Sequence, residues 1–257
     1  MHSLDGKNAL ITGGTSGIGL AVARNFIENG ARLTITGRRE DGADIARDVG
    51  AQFLRCDATD EAQMDVTIRE TAGRHGKIDV LVVNAGMAED EVSIEAFDSE
   101  RMRALMNVNF NGVFYALKYS PPHMNDGGSI ITTGSAAGSG TTNAGAATYA
   151  ASKAAVAYLT RTCAIELAPR EIRANTVCPA LIAGTGMMTE DDGGDEAKFL
   201  STLTAFGRMG KQSEVVGLYN FLASDASTFI TGQEIRVDGG LTAGLGLPIF
   251  GAIAGNN

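Results

Sequence analysis

Thr12-Gly13-Gly14-Thr15-Ser16-Gly17-Ile18-Gly19 follows the apolar run Asn8-Ala9-Leu10-Ile11-Thr12 and leads directly into an amphipathic stretch near 17–29. The order is strand, glycine turn, helix. Glycines permit a tight turn and let backbone N–H groups approach a pyrophosphate, and the helix N-terminus adds its positive dipole end. An ordinary glycine-rich turn would serve the chain geometry alone. Here the strand before it and the helix after it stand where a nucleotide fold needs them. The spacing, Gly-x-x-x-Gly-x-Gly, is looser than the G-x-G-x-x-G dinucleotide fingerprint.

Outward from this turn, strand-length apolar runs recur at 8–12, 32–36, 51–55, 79–83, 129–133, 173–177 and 234–238. Helix-like segments lie near 17–29, 60–75, 99–118, 149–168 and 212–223. Alternating strand and helix predicts a parallel sheet with helices on both faces. The runs are nearly continuous in apolar residues, as strands covered on both faces should be. There is no internal repeat, low-complexity linker or clear domain boundary, so the expectation is a single domain over 1–257.

Composition narrows the function. The 257 residues are 44% hydrophobic and 20% charged, with net charge −9. An acidic chain argues against nucleic acid or an anionic membrane surface as a partner, because phosphate binding needs clustered Lys and Arg. No apolar run approaches the roughly 20 residues that span a bilayer. The start, MHSLDGKNALIT, lacks the basic-then-apolar pattern of a signal peptide. Cys56, Cys163 and Cys178 are odd in number and scattered, which fits a reduced, cytoplasmic chain. His2, His75 and His123 form no cluster with them, so no metal site is expected.

The second strand ends in Thr36-Gly37-Arg38-Arg39, where NAD sites usually place an acid for the adenosine ribose. Two guanidiniums suit the 2′-phosphate of NADP. NADP is therefore expected over NAD, with NAD still possible. Both Arg could instead be solvated on the following helix, and Glu40 or Asp41 could turn back to a ribose. Asp57, followed by Ala58, could accept from an adenine amino group or cap the helix starting near Glu61. Asn84-Ala85-Gly86 is a small-residue turn at a strand's carboxyl end, the edge where open α/β sheets bind ligands.

Tyr149 and Lys153 stand four apart in an Ala- and Leu-rich helical stretch, so they share one face about 5–6 Å apart at Cβ. A free phenol has a pKa of about 10 and is nearly inert near neutrality. An adjacent ammonium favours the phenolate, so a lowered Tyr149 pKa is expected. Such a pair could transfer a proton to or from a substrate oxygen. The spacing alone also occurs by chance, as a half-buried Tyr beside a solvated Lys.

Taken in order, Thr12-Gly13…Gly17-Ile18-Gly19, Asp57, Asn84-Ala85-Gly86, Asn109, Ser135, Tyr149-x-x-x-Lys153, Asn175…Pro179, Ile230-Thr231-Gly232 and Val237-Asp238-Gly239-Gly240 resemble the short-chain dehydrogenases/reductases of about 250 residues. The match covers nearly the whole chain. The resemblance implies a single-domain Rossmann fold, a doubly wound, mostly seven-stranded parallel sheet. It implies an NAD(P)-dependent oxidoreductase that interconverts a secondary alcohol and a ketone by hydride transfer. The rival class is a nucleotide-binding sensor or scaffold of the same fold, which would usually lack the Tyr or the Lys.

By the same resemblance, Tyr149 is the proton donor in reduction and the base in oxidation. Lys153 holds the nicotinamide ribose, Ser135 binds the substrate oxygen, and Asn109 holds a water that relays protons to Lys153. Cofactor contacts fall to Gly13, Thr15, Ser16, Gly17, Ile18, Gly19, Asp57, Ala58, Asn84, Ala85, Gly86, Pro179, Ile182 and Thr185, besides Tyr149, Lys153 and the two Arg. Thirteen residues separate Ser135 from Tyr149, within the family's usual 12 or 13, which makes Ser139 the weaker choice.

Three features depart from the family pattern. Pro179 is followed by Ala180 where the family has Gly. Gly184 stands where a threonine is usual, and Thr185 comes one residue late. The apolar tail LTAGLGLPIFGAIAGNN (241–257) runs past the last motif and fits a subunit contact, or else frays. The family places a substrate lid at about 183–206. Here Met187, Met188 and Phe199 promise an adaptable apolar wall, and the acidic run 190–196 a solvated face. A homo-oligomer, tetramer or dimer, is expected through the helices at 99–118 and 149–168.

Overall fold

The computed structural model describes residues 2–88, 92–188, 194–244, 246, 247, 249 and 251. Seven parallel strands form one sheet in the order β3-β2-β1-β4-β5-β6-β7. They are β1 Asn8–Thr12, β2 Arg32–Gly37, β3 Gln52–Arg55, β4 Ile78–Val83, β5 Met124–Thr133, β6 Arg173–Pro179 and β7 Glu234–Val237. The expected Rossmann architecture is the observed one.

The apolar strands are buried on both faces, and alternate residues feed two cores. Ile11, Val80, Val82, Ile131 and Val177 face α1 (Gly17–Glu28) and α8 (Gln212–Ala223). Leu10, Leu81, Val83, Ile130 and Ala174 face α3 (Glu61–His75), α5 (Gly112–Tyr119) and α6 (Ala147–Leu167). The two-residue side-chain period of a strand gives this division directly.

Three local features differ from the sequence expectation. A short helix α2, Gly42–Val49, stands between β2 and β3. Its apolar face, Ile45, Ala46 and Val49, spans only about two turns, and it ends on Gly50 in the left-handed region. A helix α7, Asp195–Thr202, lies within the expected lid. The expected helix over 99–118 is interrupted: α4 (Ser99–Met106) passes through a π-helical stretch, Asn107–Asn111, before α5. Such a stretch re-aims side chains, and single turns of this kind collect at functional sites.

The strand order reverses direction between β1 and β4, where their carboxyl ends stand side by side, with Thr12 opposite Val83. Ligands of open α/β sheets bind at such a crevice. Residues following β1, β4, β5 and β6 therefore share one edge. Among the described residues no helix is long and apolar enough to cross a membrane. Of the expected features, residues 190–193 of the acidic run, and Pro248 and Phe250 of the tail, lie outside the described residues.

Candidate active site

The glycine turn is packed too closely for side chains. Gly13 has φ +67°, and a Cβ on Gly19 would lie 2.2 Å from the Gly13 carbonyl. Ser16 holds an extended N-cap conformation but makes no side-chain cap bond. The first-turn N–H groups of α1 are thus not satisfied by their own cap, the arrangement that suits an anion. Ile18 packs against the core, and Thr15 is buried beside Gly37 at the end of β2.

The second glycine-bearing turn is bolted to the first. Thr12 Oγ1 accepts hydrogen bonds from the Asn84 and Ala85 N–H groups at 3.0 and 3.2 Å. Asn84 Nδ2 donates to the Gly13 carbonyl at 3.1 Å. A Cβ on Gly86 would lie 3.2 Å from Lys153 Nζ and 3.3 Å from Asn109 Oδ1, so both groups border one point at the end of β4.

Lys153 is buried in α6, and its Nζ donates to the Thr133 carbonyl at 3.1 Å. Removing an ammonium from water disfavours its charge, and burial lowers the Lys153 pKa to about 8. The Tyr149 ring centroid is 5.7 Å from Nζ. Tyr149 corrects a sequence expectation: its pKa is raised, not lowered. Burial of the phenol is the larger effect, and the Ser135 hydrogen bond opposes it. The sequence argument counted the neighbouring charge and not the desolvation, which only the tertiary packing of α6 sets.

Ser135 stands just past β5, where its Oγ accepts from the Ala137 N–H at 3.2 Å and pairs with the Tyr149 phenol. Ser139 is engaged elsewhere. Its hydroxyl donates to Glu234 at 2.9 Å and accepts from Arg236 at 3.3 Å, on β7. The preference for Ser135 thus has a spatial reason that the spacing alone could not supply.

Asn109 is fully buried in the π-helical stretch. Its Nδ2 donates to the Met87 carbonyl and to Ser152 Oγ at 2.9 and 3.1 Å, and its Oδ1 accepts from the Met87 N–H at 2.8 Å. Ser152 in turn donates to the Tyr149 carbonyl at 2.7 Å. Both amide hydrogens are therefore used to clamp the β4 turn to the first turn of α6.

The adenosine side is more open. Arg39 makes two bonds to Asp41, at 2.8 and 2.6 Å, so Asp41 is held by a neighbouring guanidinium. That contact keeps the Asp41 carboxyl below its ordinary range. Arg38 is exposed and approaches Asp57 only at 3.9 Å, beyond hydrogen-bond distance. Asp57 does not cap α3. Its Oδ1 accepts from the Thr59 N–H and hydroxyl, while Asp60 caps the helix by accepting from the Gln63 N–H. Ala58 packs against Gly112 at the start of α5.

On the far side, Pro179 accepts from the Ala136 N–H, and Ile182 is buried. Ala180 has no positive φ; that conformation falls at Gly184 (+69°) and Gly186 (+77°) instead. Thr185 donates its hydroxyl back to the Ile182 carbonyl at 3.1 Å, and its own carbonyl would stand 2.7 Å from a Cβ on Gly17. This loop thus lies directly over the start of α1.

A phenol beside a serine hydroxyl, a buried ammonium near both and a helix N-terminus without a side-chain cap thus share the carboxyl edge of the sheet. A family model described as "Enoyl-(Acyl carrier protein) reductase" matches residues 13–242. The NADP-dependent (R)-specific alcohol dehydrogenase of Lentilactobacillus kefiri is 38% identical over 251 residues, covering 93% of this chain and 98% of that protein. A solved short-chain dehydrogenase/reductase of Serratia marcescens superposes with TM-score 0.88 at 33% identity, covering 94% and 100% of the two chains. A blue fluorescent protein from a metagenomic library, solved in complex with NADPH, gives 0.87 at 31% identity, covering 93% and 99%. The chain belongs to the short-chain dehydrogenase/reductase family and is an oxidoreductase.

Proposed function

We propose that this protein interconverts a secondary alcohol and a ketone, using NADP, with Tyr149 as the acid/base. One observation carries the reading: the Tyr149 phenol lies beside Ser135, close enough for the serine hydroxyl to act on its pKa, and beside buried Lys153, at the carboxyl edge of β4 to β6. Two hydroxyls on one oxygen suit a carbonyl being reduced.

The residues fit a nicotinamide nucleotide. An ammonium has three donors, and Lys153 gives one to the Thr133 carbonyl. A ribose diol suits the others. The first-turn N–H groups of α1 suit the pyrophosphate. The cofactor supplies or accepts the hydride. Tyr149 gives its proton to the substrate oxygen during reduction and takes it back during oxidation. Ser135 orients that oxygen and stabilises its developing charge. Asn109 fixes the β4 turn against α6, and a water beside it would serve the proton relay.

Arg38 reads the 2′-phosphate of NADP in this proposal, being the exposed guanidinium after β2 that no carboxylate holds by a hydrogen bond, its contact to Asp57 being 3.9 Å. The L. kefiri relative is NADP-dependent by name, which supports the choice. Replacing Arg38 by Ala should raise KM for NADPH by about tenfold, the range of one charge-assisted hydrogen bond, and leave KM for NADH nearly unchanged. Steady-state kinetics with both cofactors measure this. An unchanged NADPH constant would remove Arg38 from the phosphate site.

The substrate test is a panel of ketones and alcohols followed by nicotinamide absorbance, with an enoyl thioester included because the family description names one. Turnover of the thioester but of no ketone would overturn the proposal. For assembly, the exposed Met102, Phe114, Tyr158 and Ile165 on α4, α5 and α6 support a homo-oligomer through these helices.

A further inference from the structure

Tyr219 lies in α8, on the opposite side of the sheet from Tyr149 and Lys153, and is completely buried. Its hydroxyl nevertheless stands 2.7 Å from Thr133 Oγ1, and Thr133 is the last residue of β5. Thr133 Oγ1 in turn donates to Asn84 Oδ1 at 3.2 Å. Asn84 Nδ2 donates to the Gly13 carbonyl.

The direction of this chain is forced. The Gly13 carbonyl can only accept, so the Asn84 amide must present nitrogen to it and oxygen to Thr133. Thr133 must then spend its single proton on Asn84. The contact between Thr133 and Tyr219 therefore has the phenol as donor. Burial pushes the Tyr219 phenol up, which keeps that proton in place.

The same Thr133 offers its backbone carbonyl to Lys153 Nζ at 3.1 Å. One phenol thus orders the residue that seats the lysine and, through Asn84, the carbonyl of the glycine turn. We propose that Tyr219 is a positioning residue for the cofactor site, acting through Thr133 on Asn84, Gly13 and Lys153. It touches neither the reacting atoms nor the nucleotide. The inference rests on the nucleotide site proposed above.

Tyr219→Phe removes the donor and keeps the ring. NADPH affinity, read by quenching of its fluorescence without substrate, should weaken about two- to tenfold, the range of one hydrogen bond. KM for the ketone should stay within about twofold, because Ser135 and Tyr149 are not in the chain. Thr133→Val removes the hydroxyl and keeps the carbonyl that Lys153 uses. It should weaken NADPH comparably, and adding Tyr219→Phe to it should cost nothing further.

A purely structural Tyr219 would lower Tm yet leave NADPH affinity unchanged, or would weaken affinity by an amount that adds fully to that of Thr133→Val. Either result overturns the proposal. Should Tyr219→Phe fail to fold, Thr133→Val alone decides: unaltered NADPH affinity in that variant is equally fatal. Wild-type protein that binds no NADPH would instead refute the nucleotide site itself.

Discussion

Tyr149→Phe should reduce turnover about 10²- to 10⁴-fold, the usual contribution of a positioned general acid or base. NADPH affinity should change by less than about threefold, the low end of one lost hydrogen bond. The ring still fills its place on α6, and the hydroxyl that is lost faces Ser135. Far-ultraviolet circular dichroism and NADPH titration would show an intact fold and cofactor site. The pH dependence follows from the raised phenol pKa. Reduction needs the protonated phenol, so its rate should hold across neutral pH and fall only in the alkaline range. Oxidation needs the phenolate and should climb with pH through the same range. The Phe variant should lose both dependences. Wild-type turnover in that variant would show that another group moves the proton.

The centre of the sheet was readable because β1 and β4 are buried on both faces, and such strands read as nearly continuous apolar runs, whereas the edge strands β3 and β7 are only partly buried. The glycine turn was readable for a related reason: Gly19 approaches the Gly13 carbonyl so closely that no side chain fits. What escaped the sequence depends on partners distant along the chain. Ser139 is diverted by Glu234 and Arg236, nearly a hundred residues away. The π-helical stretch around Asn109 is closed by Met87 and Ser152. Tyr219 becomes informative only once β5 brings Thr133 under α8. The direction of the Tyr149 pKa failed likewise, because neighbouring charge is visible at i, i+4 spacing and desolvation is not. Asp57 and Asp60 show the limit at short range. Asp57 was the cap the sequence offered, but its carboxylate closes on Thr59 and Asp60 accepts from the Gln63 N–H instead.

Lys153→Met should inactivate the enzyme and make the cofactor-free protein more stable. The lysine is buried with its pKa lowered from 10.5 to about 8, and burial is the first cause. Between about pH 8 and 10.5 the unfolded chain holds a proton that the folded chain has released, so stability rises with pH across that window. Below pH 8 the folded protein carries the full desolvation cost of the ammonium, on the order of 3 kcal/mol for such a shift. Methionine has a similar length and no charge. It leaves the Thr133 carbonyl without its donor, which costs about 1–2 kcal/mol. The net gain near neutrality is about 1–2 kcal/mol, or roughly 2–8 °C in Tm for a chain of this size. The advantage should shrink as pH rises from about 8 toward 10.5, and scans at two pH values would show it. Saturating NADPH should reverse the ranking, because ligand raises the wild-type Tm by mass action and the variant lacks the ribose contact. A lower Tm for the cofactor-free variant at neutral pH would mean that the buried ammonium is stabilised by more than its bond to Thr133. In that case Lys153 would be a structural cation first, and the site would owe its shape to the charge rather than bear it for the sake of the reaction.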